Sequence, residues 1–193
     1  MQQPYTFIFV GRSGSGKGTQ LELLKKSVGG ENFSLVMGEL FRAFSQKNGY
    51  AQDCVRQILN AGELAPDVLT ISLFVTKLLN EFNPSQHLFV DGVVRTNLQA
   101  EALITMLAFY KRENPIIIDI DVPAEEVTRR MIGRGRADDS EAAIRGRLEF
   151  YDATVAPAIE HLKSESGYRY LKIDGTLSPE AIHKDLATQL NLS

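Results

Sequence analysis

Four glycines and a lysine near the amino terminus have the residue types and spacing that bind phosphate. The stretch from Gly11 to Thr19 reads Gly-Arg-Ser-Gly-Ser-Gly-Lys-Gly-Thr, between an apolar run and an amphipathic one. Glycine accepts positive φ and lets backbone N–H groups approach an anion closely. At a helix start these groups point at the ligand, and the helix dipole favours negative charge. Lys17 adds a mobile cation, so the sequence predicts a phosphate-binding loop rather than an ordinary glycine-rich turn.

Two oxygen-bearing residues are candidates for holding Mg²⁺ beside this loop. A hydroxyl usually follows the lysine directly, but Gly18 stands there and Thr19 comes one residue later. Thr19 is therefore the candidate hydroxyl. Asp91 follows the apolar run His87-Leu88-Phe89-Val90, and an acid at a strand end suits Mg²⁺ held through water. A capping or turn role is the alternative for Asp91.

Arginines form the second chemical signal. Six of the twelve in the chain fall within one short stretch: Arg129, Arg130, Arg134, Arg136, Arg145 and Arg147. Guanidinium groups bind phosphate oxygens bidentately and stay charged, although a solvated helix face is the commoner role of such a run. Spacing of four residues puts Arg130 and Arg134 on one helix face. We expect phosphate contacts from Arg134, Arg136 and Arg147, and solvent positions for Arg129 and Arg145.

The elements that must position these residues alternate between strand and helix. Apolar runs predict strands at residues 5–10, 33–36, 87–90, 115–122 and 168–173. Helices are predicted at residues 19–27, 39–46, 52–60, 67–82, 97–112, 124–132, 140–163 and 179–190. Pro157 should kink or split the seventh helix. Continuous apolar strands between helices indicate a parallel sheet covered on both faces, with ligands beyond the strands' carboxyl ends. The glycine loop, Asp91 and Gly175 should meet there.

Length and composition exclude several classes of protein. A chain of 193 residues with 44% hydrophobic content fits one domain with a substantial core. The net charge of −3 gives no global basic field for nucleic acid, and the single cysteine excludes a disulfide framework and a cysteine-rich zinc site. No apolar run approaches the length that spans a bilayer, and the amino terminus lacks a leader pattern. We expect a cytoplasmic protein.

Several further segments complete a pattern. Residues 38–42 read Gly-Glu-Leu-Phe-Arg, residues 91–96 read Asp-Gly-Val-Val-Arg-Thr, and residues 173–176 read Ile-Asp-Gly-Thr. Together with Gly-Lys-Gly-Thr-Gln at residues 16–20 and the arginine stretch, they resemble the nucleoside monophosphate kinase family, in particular its adenylate kinase branch. The resemblance covers almost the whole chain.

This resemblance implies a fold and an activity. The fold is α/β, the three-layer P-loop NTPase type with a five-stranded parallel sheet, a small helical NMP-binding insertion and a minimal lid. The single domain of residues 1–193 divides into a core (1–36, 68–132, 140–193), an acceptor segment (37–67) and a short lid (133–139). The activity is reversible transfer of the γ-phosphoryl group of Mg-ATP to AMP, giving two ADP. The only cofactor is Mg²⁺, the state is monomeric, and no nucleic acid polymer or membrane is a partner.

The resemblance also assigns site residues by position. The implied catalytic residues are Lys17, Arg95, Arg134, Arg136 and Arg147. The implied ATP contacts are Gly14, Ser15, Gly16, Lys17, Gly18, Thr19, Arg130, Arg134 and Gly175. The implied AMP contacts are Met37, Gly38, Arg42, Glu63, Leu64, Gly92, Arg95, Gln99, Arg136 and Arg147. Thr19 and Asp91 remain the metal candidates.

Three departures from the family pattern bear on function. Met37 replaces a Thr or Ser beside the acceptor base, and Val93-Val94 replaces Phe-Pro. Only Gly135 separates Arg134 from Arg136, so the lid is very short and we expect poorer exclusion of water.

Alternatives are a UMP/CMP kinase on the same fold, a nucleotide-binding protein without turnover, and a P-loop kinase for a small alcohol. Gln99 favours AMP.

Overall fold

The computed structural model describes residues 3–135 and 139–192, which form a parallel sheet between two layers of helices. The order of the five strands is β2-β3-β1-β4-β5, and every neighbouring pair is parallel. The strands are β1 (Thr6–Val10), β2 (Asn32–Val36), β3 (His87–Asp91), β4 (Ile116–Asp121) and β5 (Arg169–Asp174). The predicted five-stranded parallel α/β fold is confirmed, with strand boundaries shifted by at most one residue.

The helices cover both faces of this sheet. They are α1 (Lys17–Val28), α2 (Met37–Ser45), α3 (Tyr50–Ala61), α4 (Asp67–Glu81), α5 (Asn97–Phe109), α6 (Ala124–Arg134), α7 (Glu141–Phe150), α8 (Ala156–Lys163) and α9 (Pro179–Leu190). Within the described ranges, no helix is long and apolar enough to cross a membrane.

Alternate residues of the central strand β1 pack into two separate hydrophobic cores. Ile8 packs in a buried cluster with residues of α4 and α5, such as Leu78 and Leu103. Phe7 and Phe9 point to the opposite face, where the cluster includes residues of α1 and α9. Side chains of successive strand residues alternate between faces, so an uninterrupted apolar strand buries both. The sheet is thereby fixed beneath its carboxyl edge.

One predicted helix ends earlier than expected, and another is split as its proline predicts. Helix α5 stops at Phe109 because Lys111 adopts a φ of 52° and the chain turns. The next side chain, Arg112, is buried and donates to the carbonyl oxygens of Pro4 and Pro84, which fixes this turn. The predicted helix of residues 140–163 is split, as Pro157 suggested. A π-helical turn, Tyr151–Val155, separates α7 from α8, and Pro157 lies in the first turn of α8.

Candidate active site

A cavity of about 880 Å³ opens at the carboxyl edge of the sheet. Its floor is the glycine loop between β1 and α1, and its walls come from α2, α3, α6, α7 and the segment after β3. Its charged lining residues are six cations, Lys17, Arg42, Arg95, Arg130, Arg134 and Arg147, and four acids, Glu22, Glu39, Glu63 and Asp91. Because the cations outnumber the carboxylates, the cavity suits a polyanion.

The glycine loop requires glycine for two separate reasons. Gly11, Gly14 and Gly16 have φ values of 119°, 84° and 99°, a region that side chains strain. Space is also short, since a Cβ on Gly11 would lie 2.6 Å from the carbonyl oxygen of Ile120. Gly16 caps α1, which begins at Lys17. The predicted strand, loop and helix are therefore present, with the free N–H groups of the α1 amino terminus at the cavity floor.

Lys17 lies folded against its own loop. Its Nζ donates to the carbonyl oxygens of Gly11 and Arg12, each at 2.8 Å. Burial lowers the pKa of Lys17, while the nearby Asp91 carboxylate opposes that shift. Held in this way, the ammonium group braces the loop in the curved shape that a phosphate chain would need.

Thr19 and Asp91 open into the same cavity, and their oxygens are of the type that Mg²⁺ prefers. Thr19 is in the first turn of α1, and Asp91 is the last residue of β3, paired in register with Phe9. No cluster of three or more His, Cys, Asp or Glu side chains that could hold a metal occurs in the described ranges. The two residues fit an ion that keeps several waters and also binds the phosphates, as Mg²⁺ does.

Asp139 gathers two of the predicted phosphate-binding arginines. Its carboxylate accepts from Arg134 Nε and Nη2 at 2.5 and 2.8 Å and from Arg147 Nη1 at 2.7 Å. The Asp139 side chain is only 1% exposed. Burial alone would raise the pKa of Asp139, but the hydrogen bonds from Arg134 and Arg147 outweigh it and hold the pKa low. The arginines are thus aligned before any ligand binds.

Other members of the arginine stretch lie in different surroundings. Arg130 lines the cavity and donates to Glu126 Oε1 at 2.7 Å. Arg129 also pairs with Glu126 but is 79% exposed, and Arg145 is exposed as well. Arg136 lies outside the described residues.

A second pair of arginines, from α2 and from the segment after β3, also lines the cavity. The Arg42 guanidinium lies against Gly38, where a Cβ would be 3.2 Å from Nη1. Arg95 Nε donates to the carbonyl oxygen of Gly92 at 3.3 Å. Burial lowers the pKa of Arg95, and the Asp91 carboxylate opposes this. Glu63 lines the same cavity. Two sets of cations therefore face one space.

Four predicted site residues do not line the cavity. Met37 is fully buried in the core, and Leu64 lies beside the wall rather than on it. Gly175 is packed so closely that a Cβ would lie 2.4 Å from Val122 Cγ2. Gln99 is 1% exposed, and its Nε2 donates to Asp67 Oδ1 at 2.8 Å.

The amide of Gln99 instead supports a neighbouring residue. Its Oε1 accepts from the backbone N of Arg95 at 3.0 Å. Thr96, the N-cap of α5, donates to the same Asp67 carboxylate at 2.8 Å. These bonds join α4 to α5 beneath the Arg95 backbone.

Sequence reasoning missed Asp139 and the apolar part of the lining. Asp139 follows the arginine stretch directly, and an acid beside clustered arginines was the available signal. Phe41, Val55 and Leu59 form an apolar wall on α2 and α3. Their helical spacing was visible, but which face would turn to the cavity depends on how α2 and α3 pack.

Comparison with known proteins supports this arrangement. The adenylate kinase family profile matches residues 9–167. An adenylate kinase of Phocaeicola vulgatus is 37% identical over 183 residues, covering 93% of this chain and 94% of that one. Those of Leptospira biflexa and Prochlorococcus marinus are 34% and 35% identical, covering 91% and 88% of this chain and 94% and 91% of their own. The chain belongs to the adenylate kinase family, and it is accordingly a phosphotransferase of the nucleoside monophosphate kinase class.

Proposed function

We propose that the chain transfers the γ-phosphoryl group of Mg-ATP to AMP, reversibly, giving two ADP. One observation carries the proposal: the glycine loop, the α6 and α7 arginines Arg134 and Arg147, and the further arginines Arg42 and Arg95 all line a single cavity. A site for ATP alone would need the loop and one set. Arg42 and Arg95 supply positive charge for a second phosphate. A UMP or CMP acceptor is not favoured, because the relatives named above are adenylate kinases.

The donor side binds ATP through backbone and side-chain groups. The N–H groups of residues 14–19 hold the phosphate chain at the α1 amino terminus, with Ser15 Oγ, which is buried and lacks a hydrogen-bond partner, turned toward it. Arg130 covers the nucleoside beyond the phosphates. Mg²⁺, held by Thr19 and through water by Asp91, supplies charge neutralisation on the donor phosphates.

The acceptor side binds AMP through residues of the segment 37–67 and the stretch after β3. Arg42 and Arg95 grip the acceptor phosphate, and the backbone near Gly38, Glu63 and Gly92 borders the nucleoside. Gln99 acts on the acceptor through Arg95, whose backbone it holds.

Transfer proceeds in line, without a covalent enzyme intermediate. An acceptor phosphate oxygen attacks the γ-phosphorus while the bond to the β-phosphate bridge breaks. Lys17, Arg134 and Arg147 stabilise the charge that spreads over the transferred group, and Arg136 of the short lid (133–139) joins them. Because Asp139 aligns two of these arginines in advance, little reorganisation accompanies the step.

A coupled assay across four acceptors tests this function. The purified chain is given Mg-ATP with AMP, UMP, CMP or GMP, and nucleoside diphosphate formation is measured. We expect kcat/KM for AMP to exceed the others by at least about tenfold, the scale of one lost pair of hydrogen bonds in a base pocket. Preference for a pyrimidine monophosphate would overturn the assignment of AMP. Failure of every acceptor would overturn the transfer itself.

The cellular setting and the assembly state belong to this proposal as well. We take the chain to act as a cytoplasmic monomer, as we expect of a member of the adenylate kinase family. Light scattering after size exclusion tests the assembly state, with the mass of one chain expected. A dimeric mass would contradict it.

A further inference from the structure

We propose that Arg12 is a positioning residue for phosphoryl transfer. It fastens the glycine loop to the π-helical turn Tyr151–Val155, and so sets the place of Lys17 relative to Arg147. The proposal rests on the proposed function and names a residue outside the cavity lining. Arg12 is a loop residue with a long side chain among four glycines, which have none.

The Arg12 guanidinium makes two contacts with the first residues of the π-helical turn. Its Nη2 donates to Asp152 Oδ1 at 2.8 Å. Its Cζ lies 4.5 Å from the centroid of the Tyr151 ring, within the range of a cation–π contact. Burial raises the pKa of Tyr151 to about 12, so the ring stays a neutral phenol at ordinary pH. The planar guanidinium group of Arg12 is therefore held at its edge by Asp152 and against the ring of Tyr151.

The backbone of the same residue forms part of the lysine seat. The carbonyl oxygen of Arg12 accepts from Lys17 Nζ at 2.8 Å and from the backbone N of Ser15 at 3.2 Å. If loss of the side-chain contacts lets the Arg12 Cα shift, this oxygen shifts with it, because side chain and carbonyl share that Cα. The contact with the π-helical turn thus reaches the ammonium group through a single residue.

The other end of the link reaches the arginines. Arg147 and Tyr151 are four residues apart on the continuous helical path of α7 and its π-helical turn, and both line the cavity. Residues at that spacing lie on one face, about 5–6 Å apart at Cβ. A π-helical turn inserts an extra residue in the helix and is frequent at functional sites. Here Tyr151 and Asp152 of that turn are the residues that contact Arg12.

Asp152 offers a clean way to test the link. It is 72% exposed at the side chain, so its substitution leaves the phosphate cavity intact. For Asp152→Asn we expect kcat to fall about five- to tenfold with KM for ATP and AMP changed less than about twofold, since displaced reacting groups lower the rate more than the binding. Asp152→Glu keeps the carboxylate and should stay within about twofold of the parent kcat.

Glu160→Gln is the matched control. Glu160 is 69% exposed and pairs with Lys163 on the neighbouring α8, away from the glycine loop. For Glu160→Gln we expect the parental kcat. We also expect its melting temperature to equal that of Asp152→Asn. The double variant Arg12→Met with Asp152→Asn should be no slower than Arg12→Met alone, because both changes break one link.

The outcomes separate this inference from the proposed function. Parental kcat in Asp152→Asn, or equal losses in Asp152→Asn and Glu160→Gln, would overturn the positioning role while ADP formation by the unsubstituted chain stood. Absence of AMP-dependent ADP formation in the unsubstituted chain would overturn the function first. Fully additive losses in the double variant would also contradict the link.

Discussion

At the residue scale, the site is a set of cations held in place by neutral carbonyl oxygens and by an oppositely charged carboxylate. Two carbonyl oxygens hold Lys17, and one buried carboxylate holds Arg134 and Arg147. A buried charge costs free energy unless it is paired or hydrogen-bonded. Each of these charged groups has such a partner, which offsets the cost of its burial. The cations are therefore oriented before the phosphates arrive.

Substitution of Lys17 by methionine should remove catalysis and leave the fold. Lys17→Met keeps much of the side-chain length but loses the cation that we propose stabilises the transferred group. We expect kcat to fall about 10²–10³-fold, as for loss of one transition-state donor. Lys26→Met is the control, because Lys26 is exposed on the same helix. Near-parental turnover in Lys17→Met would remove this lysine from the mechanism.

Asp139 should control the arrangement of the arginines. Asp139→Asn removes the charge that Arg134 and Arg147 share, and we expect kcat to fall about tenfold or more. Asp185→Asn, an exposed change on α9, is the control and should keep parental kcat. An unchanged rate in Asp139→Asn would show that the arginines align without it.

The pH dependence of this pair follows from the sign of the shift. The pKa of Asp139 is lower in the folded chain than in the unfolded one. Its contribution to stability is therefore complete above about pH 4 and is lost as the pH falls through the lower folded value. Thermal melting from pH 7 to pH 3 should show that the stability gap between Asp139→Asn and the parent narrows at the acid end. A gap that stays constant down to pH 3 would contradict this.

At the element scale, the position of the acceptor segment depends on the contact between α3 and α7. Gly62 ends α3 with a φ of 71°, and a Cβ there would lie 2.3 Å from the carbonyl oxygen of Ala143 on α7. The bare backbone thus allows the two helices to touch. Because α7 also carries Arg147, this contact links the acceptor wall to the arginine set.

Gly62→Ala should disturb both stability and acceptor binding. The left-handed φ alone costs about 1–2 kcal/mol with a side chain, and the backbone collision adds to it. We expect a lower melting temperature and a KM for AMP raised more than that for ATP. Gly146→Ala is the matched control on the other side of the contact. Its Cβ would meet Ala61 O at 3.4 Å, an ordinary contact, within a helix that alanine favours. Equal effects of the two changes would contradict the explanation.

At the whole-molecule scale, the sheet and its order of elements follow from sequence, whereas several site details do not. Continuous apolar runs identify β1, β3 and β4, because both faces of these inner strands are buried, whereas the edge strands β2 and β5 alternate between buried and more exposed residues. Gln99 was expected to contact AMP but does not line the cavity, because the packing of α4 on α5 brings its partners Asp67 and Arg95 to it. Pro157 predicts a break in its helix. The break is a π-helical turn, which the sequence does not predict. Its residue Asp152 contacts Arg12, which is 140 positions away along the chain.

The short lid should affect the whole reaction. A lid excludes water from the reacting phosphates, and here only Gly135 separates Arg134 from Arg136. We expect ATP hydrolysis without acceptor to exceed that of a long-lid relative measured under the same conditions. Lys17→Met should abolish that hydrolysis if it occurs in the same cavity. A rate no higher than the long-lid relative's would contradict the expectation.

The central claim is that one cavity holds two nucleotides end to end. Calorimetric titration with a bisubstrate dinucleotide, compared with ATP, tests it most directly. We predict one dinucleotide per chain, and for Arg42→Met an affinity loss of about tenfold or more for the dinucleotide with ATP affinity unchanged. Equal dinucleotide affinity in the parent and in Arg42→Met would contradict the account, because Arg42 would then bind no phosphate.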